Sequence, residues 1–292
     1  SMITESFHTA WATCGSRMTC SSASYASWLP SKALIDSPSL IRGVQLRTIY
    51  GKSASMKLKE QRVIVIGGSS GIGLEVARQA NFSGAQVTIA SRSQEKLDAA
   101  RAAIGEGVNA VQIDVLSDDS VRAAFDKTGV VDHVVFTPPG GTVGKIREMD
   151  TAAALAGLDQ KVIAAVRTVK YAKIADNGSL TFITGQFARR PLPGMVMGAV
   201  VNGAIDVLGK GLAVELAPLR VNMISPGVID TPLHARLPEE MRTNMFKTAA
   251  QRLPFGRVGR PEDIATMAVE VMINSFLTGA IIEIDGGANV LM

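Results

Sequence analysis

Gly67, Gly68, Gly71 and Gly73, set around Ser69, Ser70 and Ile72, follow a run of four β-branched apolar residues, Val63-Ile-Val-Ile66. Glycine is needed where a chain turns with φ > 0, and where a pyrophosphate or a packed strand leaves no room for a Cβ. A turn of this kind, opening into a helical pattern, aims backbone N–H groups and a positive helix end at one spot. Phosphate binding is the chemistry it offers. Downstream, Ser91 and Arg92 close the next apolar run, where an NAD site would carry an acid for the ribose hydroxyls. The arginine fork suits a 2′-phosphate instead. The plainer alternative is a solvated arginine closing the turn.

Such groups need elements to hold them. Apolar runs at 63–66, 87–90, 110–113, 130–136, 180–183, 221–224 and 281–284 read as buried strands. Between them, 73–82, 94–104, 118–127, 152–175, 195–217 and 261–276 carry helical patterns. Strand and helix alternate throughout, and near-continuous apolar strands imply a sheet covered on both faces. The expectation is a single α/β domain over 56–292, a doubly wound parallel sheet with helices on both faces. Ligands of such sheets sit beyond the carboxyl ends of the strands, in the loops after Ile66, Ala90, Ile113, Phe136, Ile183 and Ile224.

Composition narrows the field further. The net charge of +4 is uneven: five Lys/Arg against Glu5 and Asp36 place +3 of it in residues 1–55. A near-neutral body with 5% aromatics is not a nucleic-acid footprint. No apolar run approaches the length that spans a bilayer, so no membrane partner is expected. Cys14 and Cys20 both lie in the first 55 residues, which leaves the body without a disulfide, a thiol nucleophile or a cysteine metal site. No His/Asp/Glu cluster has metal-ligand spacing, so no metal is expected. Residues 1–55 hold 17 Ser/Thr and no sustained period. They read either as a transit peptide or as a disordered tail. The protein is expected in an organelle in the first case and in the cytoplasm in the second; no h-region marks it for secretion.

From about Lys57 to the C-terminus the chain resembles the short-chain dehydrogenase/reductase family. The family's T-G-x-x-x-G-x-G turn is matched by Ile66-Gly-Gly-Ser-Ser-Gly-Ile-Gly73, with Ile66 in place of Thr. Asp114-Val115 is similar to the pair that holds the adenine, and Ser225-Pro-Gly-Val-Ile-Asp-Thr-Pro232 to the segment beside the nicotinamide. Gly256-Arg-Val-Gly-Arg260-Pro-Glu-Asp-Ile and Ile284-Asp-Gly-Gly287 also match. The resemblance implies a Rossmann-type fold, a small-molecule substrate and a nicotinamide cofactor. NADP(H) is favoured over NAD(H) by Ser91 and Arg92. Gly67, Ser69, Ser70, Gly71, Ile72, Asp114, Val115, Pro226, Gly227, Val228 and Thr231 are the implied cofactor contacts. It also implies a homo-oligomer, a tetramer or dimer, built through the two long helices.

The family's usual proton relay is missing. It pairs Tyr and Lys as Y-x-x-x-K on one helix face, with a Ser about thirteen residues earlier. In the family register those positions hold Gly198, Asn202 and Gly185, and the asparagine of the preceding helix is Lys161. The tyrosines, Tyr25, Tyr50 and Tyr171, are followed four residues later by Leu29, Ala54 and Ala175, so no Y-x-x-x-K exists in the chain. The family's N-N-A-G loop reads Thr137-Pro-Pro-Gly-Gly141, whose prolines stiffen it and open the possibility of a cis bond.

Lys161 is the first candidate to replace the missing acid, since a partly desolvated amine titrates nearer neutrality; its plain alternative is a surface lysine. Thr184 and Gln186 can hydrogen-bond a substrate oxygen or merely cap a strand end. Asn202 can touch the ribose or pack against the turn. Arg189 and Arg190 would clamp a carboxylate or form a solvated turn. His133 reads as structural, and His234 as a catalytic candidate in a segment that the resemblance makes a substrate lid. Three functions stay open: an NADP(H)-dependent reductase of a carbonyl, enone or imine with a rebuilt proton donor, an enzyme with no net redox change (isomerisation, cyclisation or dehydration), and a non-catalytic cofactor binder.

Overall fold

In the computed structural model, which describes residues 57–290, the first apolar run forms strand β1, Arg62–Ile66. Its side chains alternate between two cores, Val63 and Val65 to one side, Ile64 and Ile66 to the other. Both sets are buried, because the sheet is covered on both faces. Each such side chain contributes about 1.5–3 kcal/mol by leaving water.

Six more strands follow: β2 (Gln86–Ser91), β3 (Asn109–Gln112), β4 (Val131–Phe136), β5 (Ile174–Ile183), β6 (Arg220–Pro226) and β7 (Ile281–Ile284). All pair in parallel, in the order β3-β2-β1-β4-β5-β6-β7. The order reverses between β1 and β4, which opens a crevice at their carboxyl ends. Helices α1 (Gly71–Phe82), α2 (Gln94–Ile104) and α8 (Pro261–Ile273) bury residues in one core, and α3 (Asp118–Thr128), α5 (Ala164–Tyr171) and α6 (Val196–Glu215) in the other. The doubly wound parallel sheet is the architecture read from the sequence.

Four local expectations need correction. The helix expected over 152–175 is three pieces, α4 (Thr151–Leu158), a π-turn (Asp159–Ile163) and α5, and it stops at Tyr171. Strand β5 then begins at Ile174, inside the expected helix, and shifts register against β4 between Val131 and His133. Gly178 permits that approach, since a Cβ there would collide with the Asp132 carbonyl. Residues 239–252, for which no element was expected, form α7, which has no buried residue and therefore no strong apolar face to betray it. The cis bond among the described residues is Ala217–Pro218, so both prolines of the Thr137–Gly141 loop follow trans bonds. Finally, α6 is long and apolar enough to match a membrane span, with mean hydropathy 1.3, against the expectation from apolar runs. It is packed on the sheet: Gly209 lies so close to Met223 of β6 that a Cβ would strike its sulfur. The expected extension, 1–55, lies outside the described residues.

Candidate functional site

The glycine turn between β1 and α1 is built as its spacing implies. Gly67 and Gly71 have φ of +85° and +54°, which side chains rarely adopt. A Cβ on Gly68 would lie 2.9 Å from Ile89, and one on Gly73 would strike the Gly67 carbonyl. Ser70 occupies the N-cap of α1 in extended backbone without a side-chain cap, and the first turn carries no acid. Gly67 and Gly68 donate their N–H groups to the Ala90 and Val65 carbonyls, and those at the start of α1 are left for a ligand. Thr137 ties the neighbouring loop down by donating from Oγ1 to the Ile66 carbonyl at 2.8 Å.

The other implied cofactor contacts converge on the same crevice. Ser91 ends β2, and exposed Arg92 makes no side-chain hydrogen bond or ion pair among the described residues. The Asp114 carboxylate accepts the Leu116 N–H at 3.1 Å, which fixes the loop after β3, and Val115 packs against the second core. Pro226 ends β6. Gly227 lies against Asp285, whose Cα would be 2.8 Å from an added Cβ, and donates its N–H to the Ile284 carbonyl. The Val228 carbonyl accepts from Gly259. Thr231 reaches the turn itself: its side chain would be 3.5 Å from a Cβ on Gly71.

The candidate chemistry lies deeper. Lys161, in the π-turn, is only 4% exposed. Its Nζ donates to Asn202 Oδ1 of α6 at 3.0 Å and to the Thr184 carbonyl at the end of β5 at 3.4 Å. An ammonium has three N–H groups, so one is left for a further acceptor. Burial pushes Lys161 down to about 8, against which the charge of Asp206 pulls it up. The solvated alternative for this lysine is excluded.

Glycines make the cradle. A Cβ on Gly140 would collide with the Lys161 stem, and one on Gly185 would lie 2.8 Å from Asn202 Nδ2. The Pro138–Thr142 loop is wedged between the helices, with a Cβ on Gly141 falling 2.9 Å from Gly198 Cα and 3.6 Å from the Met197 carbonyl. Gly198 itself has open space beside it, bounded by the Met195 methyl at 3.7 Å from a Cβ. The π-turn is held from outside by Arg167, which donates to Asp159 at 2.8 Å and pairs with Asp118 at 3.1 Å.

Of the candidates, Lys161, Thr184 and Asn202 are brought together. Gln186 opens the next turn, nine-tenths buried, with no bond to that set and no partner for Oε1 among the described residues. Arg189 and Arg190 need correction, because neither is a simply solvated turn residue. Arg189 is exposed in part yet committed to carboxylates of the protein, and Arg190, half-buried, is tied to the backbone. Arg189 pairs with Glu283 at 2.6 Å and Asp206 at 3.4 Å and donates to Ser225 Oγ at 3.1 Å. Arg190 donates to the Ala288 carbonyl. Buried His133 sits between Ser179 and Gln61, at 2.8 Å from each. His234 stacks edge-on against Phe246, with centroids 5.3 Å apart.

Asp206 is the residue that sequence reasoning passed over. Its signal was available: it lies four residues after Asn202, on the same helix face. Among the described residues, no three His, Cys, Asp or Glu side chains are grouped to hold a metal.

Comparison with known proteins agrees with this fold. Residues 67–289 match the family described as Enoyl-(Acyl carrier protein) reductase. "Short-chain dehydrogenase/reductase ATR9" of Stachybotrys chlorohalonatus is 33% identical over 248 residues, covering 79% of this chain and 98% of that protein. A solved small-chain dehydrogenase in complex with NADPH superposes with a TM-score of 0.70 at 29% identity, over 80% of this chain and all of the other. The MalC Reductase/Diels-Alderase of Malbranchea aurantiaca superposes with a TM-score of 0.75 at 25% identity, over 82% of this chain and all of the other.

Proposed function

Because the chain belongs to the short-chain dehydrogenase/reductase family, we propose that it is an NADP(H)-dependent reductase in which the Lys161 ammonium replaces the family's proton donor. The observation that carries this reading is the buried Lys161 amine, held by two acceptors with its third N–H uncommitted. The residues present suit the cofactor. The Gly67–Gly73 turn would take the pyrophosphate, Arg92 the 2′-phosphate, and Thr231 and Gly227 the nicotinamide end. The nicotinamide supplies or accepts a hydride when bound. NADP(H) is favoured because Arg92 stands free at the end of β2, without the acid that a ribose hydroxyl pair would want.

Lys161 also narrows the substrate. An ammonium stabilises charge that becomes negative in the transition state, as on the oxygen of a ketone or conjugated enone. It would repel a cationic iminium. A small carbonyl or enone is therefore the favoured acceptor: Lys161 donates its proton to the developing oxyanion, is left neutral, and is recharged from water. Gly198, in place of Tyr, leaves space for a bulkier substrate beside that oxygen, while the room at Gly185 is taken by Asn202.

A second reading, catalysis with no net redox change, is supported by the Malbranchea neighbour, whose description joins a reductase to a Diels-Alderase. Here Lys161 would polarise the same oxygen without hydride transfer. Incubating the protein with NADPH and a panel of enones, ketones and imines separates the two. Loss of reduced-nicotinamide absorbance with enones or ketones supports the reductase. Product formation without that loss supports the second reading, and failure to bind either NADPH or NADH overturns the first.

A homo-oligomer is part of the proposal. Val200, Val207 and Val214 are exposed along α6, as are Leu155 of α4, Ile163 of the π-turn and Val166 of α5. Such apolar stripes suit helix pairing between copies. Light scattering that gives a monomer mass would refute it.

A further inference from the structure

Arg167 of α5 is mostly covered, its side chain 17% exposed, and its guanidinium reaches three places at once. Nε donates to Asp118 Oδ2, at the start of α3, at 3.1 Å. Nη1 donates both to Asp159 Oδ1 at 2.8 Å and to the Val115 carbonyl at 3.3 Å. The first partner is well fixed. Lys170 and Tyr171, from the same helix, also donate to the Asp118 carboxylate, at 3.2 and 2.8 Å. Arg167 is thereby pinned through Nε, and Nη1 is shared between a carboxylate and a backbone carbonyl.

Those two partners belong to different parts of the crevice. Asp159 opens the π-turn, its carbonyl accepts the Ala164 N–H five residues on, and Lys161 stands two residues after it. Val115 follows Asp114 in the loop after β3, and that loop adjoins Arg92. Ile113 donates its N–H to the Ser91 carbonyl, and the Gln112 amide donates to the Arg92 carbonyl at 3.3 Å. The loop is tied within itself as well, since the Asp114 N–H donates to Ser120 Oγ at 2.8 Å and the Asp114 carboxylate accepts from Leu116.

We propose that Arg167 is a positioning residue, which carries occupancy of the adenosine end of the crevice to the seat of Lys161. The proposal rests on the reading of that crevice as an NADP(H) site. Because Nη1 serves both partners, a shift of the Val115 carbonyl alters the hold on Asp159, and with it the π-turn. The Val115 bond is the longer of the two, so it is the one that a ligand seated against the loop can tighten. A planar guanidinium fixes these directions together; the point charge of a lysine on its flexible stem does not.

Adenosine 2′,5′-bisphosphate, which carries the adenosine half of NADP(H) and no nicotinamide, is the probe. Its binding to the full chain is measured by calorimetry, and amide hydrogen exchange is followed with and without saturating ligand. In wild type, exchange across residues 159–164 should slow by about fivefold or more, the low end of usual coupling between sites. In Arg167→Lys and in Asp159→Asn the ligand should still slow exchange at residues 113–116 but no longer at 159–164. Arg167→Lys keeps the cation, and Asp159→Asn alters a side chain that is 40% exposed. Should the first not fold, the second decides alone. A merely structural Arg167 would speed exchange with and without ligand alike and leave their ratio in place, which overturns the proposal. So does a wild type that binds the ligand without slowing at 159–164. Failure to bind either this ligand or NADPH overturns the cofactor reading and the proposal together, so the two failures are told apart.

Discussion

Lys161 and Asn202 stand on separate helical elements and meet side chain to side chain, Nζ donating to Oδ1 at 3.0 Å. In the family register lysine would stand at 202 and asparagine at 161. By that register, the two residue types stand at each other's positions in this chain. The cation therefore reaches the crevice from the π-turn rather than from α6, and Gly185 gives Asn202 the room to receive it.

Replacing Lys161 with Met tests that cation. Turnover should fall by about 10²–10⁴-fold, the usual worth of a positioned acid. NADPH affinity should change little. The melting temperature should hold or rise, because a buried charge is exchanged for an apolar chain of similar length. Unchanged turnover in a folded variant removes Lys161 from the chemistry.

The same residue fixes the pH behaviour. Acting as an acid, it must be protonated, so kcat/KM should be flat at lower pH and decline as pH rises through about 8. Stability runs the other way. The folded value lies below the ordinary 10.5, so the unfolded chain binds more protons between the two. Raising pH across that window should stabilise wild type relative to Lys161→Met, as read from urea midpoints.

His133 provides the acid-side counterpart. Its seat between Ser179 and Gln61 holds the neutral ring, and burial lowers it from 6.5 to about 4. As pH falls from 6.5 to 4, the unfolded chain takes up a proton that the native one refuses. Stability should drop across that interval, by at most about 3 kcal/mol. His133→Gln should flatten the dependence; an equal slope in the variant would show that other groups control it.

Arg92→Gln tests cofactor choice. Losing a charge-assisted bond to a phosphate should weaken NADPH binding by about 10–100-fold and leave NADH almost unchanged. Calorimetric titration with both decides it, and equal losses for both would move Arg92 out of the discriminating role.

Gly141→Ala tests the wedge. With φ at +96° and Gly198 Cα 2.9 Å from the new Cβ, the loop must shift. A cost of about 1–3 kcal/mol follows, or a melting temperature lower by several degrees. Turnover should fall further than stability alone explains, since the adjoining Gly140 covers the Lys161 stem. Activity that tracks only the folded fraction would separate the loop from the amine.

The sheet was legible because its strands are fully buried, so that apolar runs such as Val63–Ile66 announce themselves. The glycine turn was legible for a similar reason: few sequences place glycines where both φ and contact demand them. Lys161, Thr184 and Asn202 could be nominated only through a register, since nothing local to residue 161 marks burial. The π-turn was invisible, because its five residues keep an ordinary helical composition and are set apart by hydrogen bonding alone. Helix α7 escaped because it buries nothing. The ion pairs of Arg189 link residues far apart in the chain, and a single sequence cannot show which of two adjacent arginines turns inward.

The π-turn at Asp159–Ile163 carries a consequence for chain length. Such a turn amounts to one residue inserted into an α-helix, so α4 and α5 are phased as if one fewer residue separated them. Deleting a residue there would leave a regular helix whose two arms still present the same faces to the sheet and to α6. The deletion would remove no packing surface, only the surplus turn in which Lys161 stands. The helix is thus one residue longer than its own folding requires, and the amine sits in that excess.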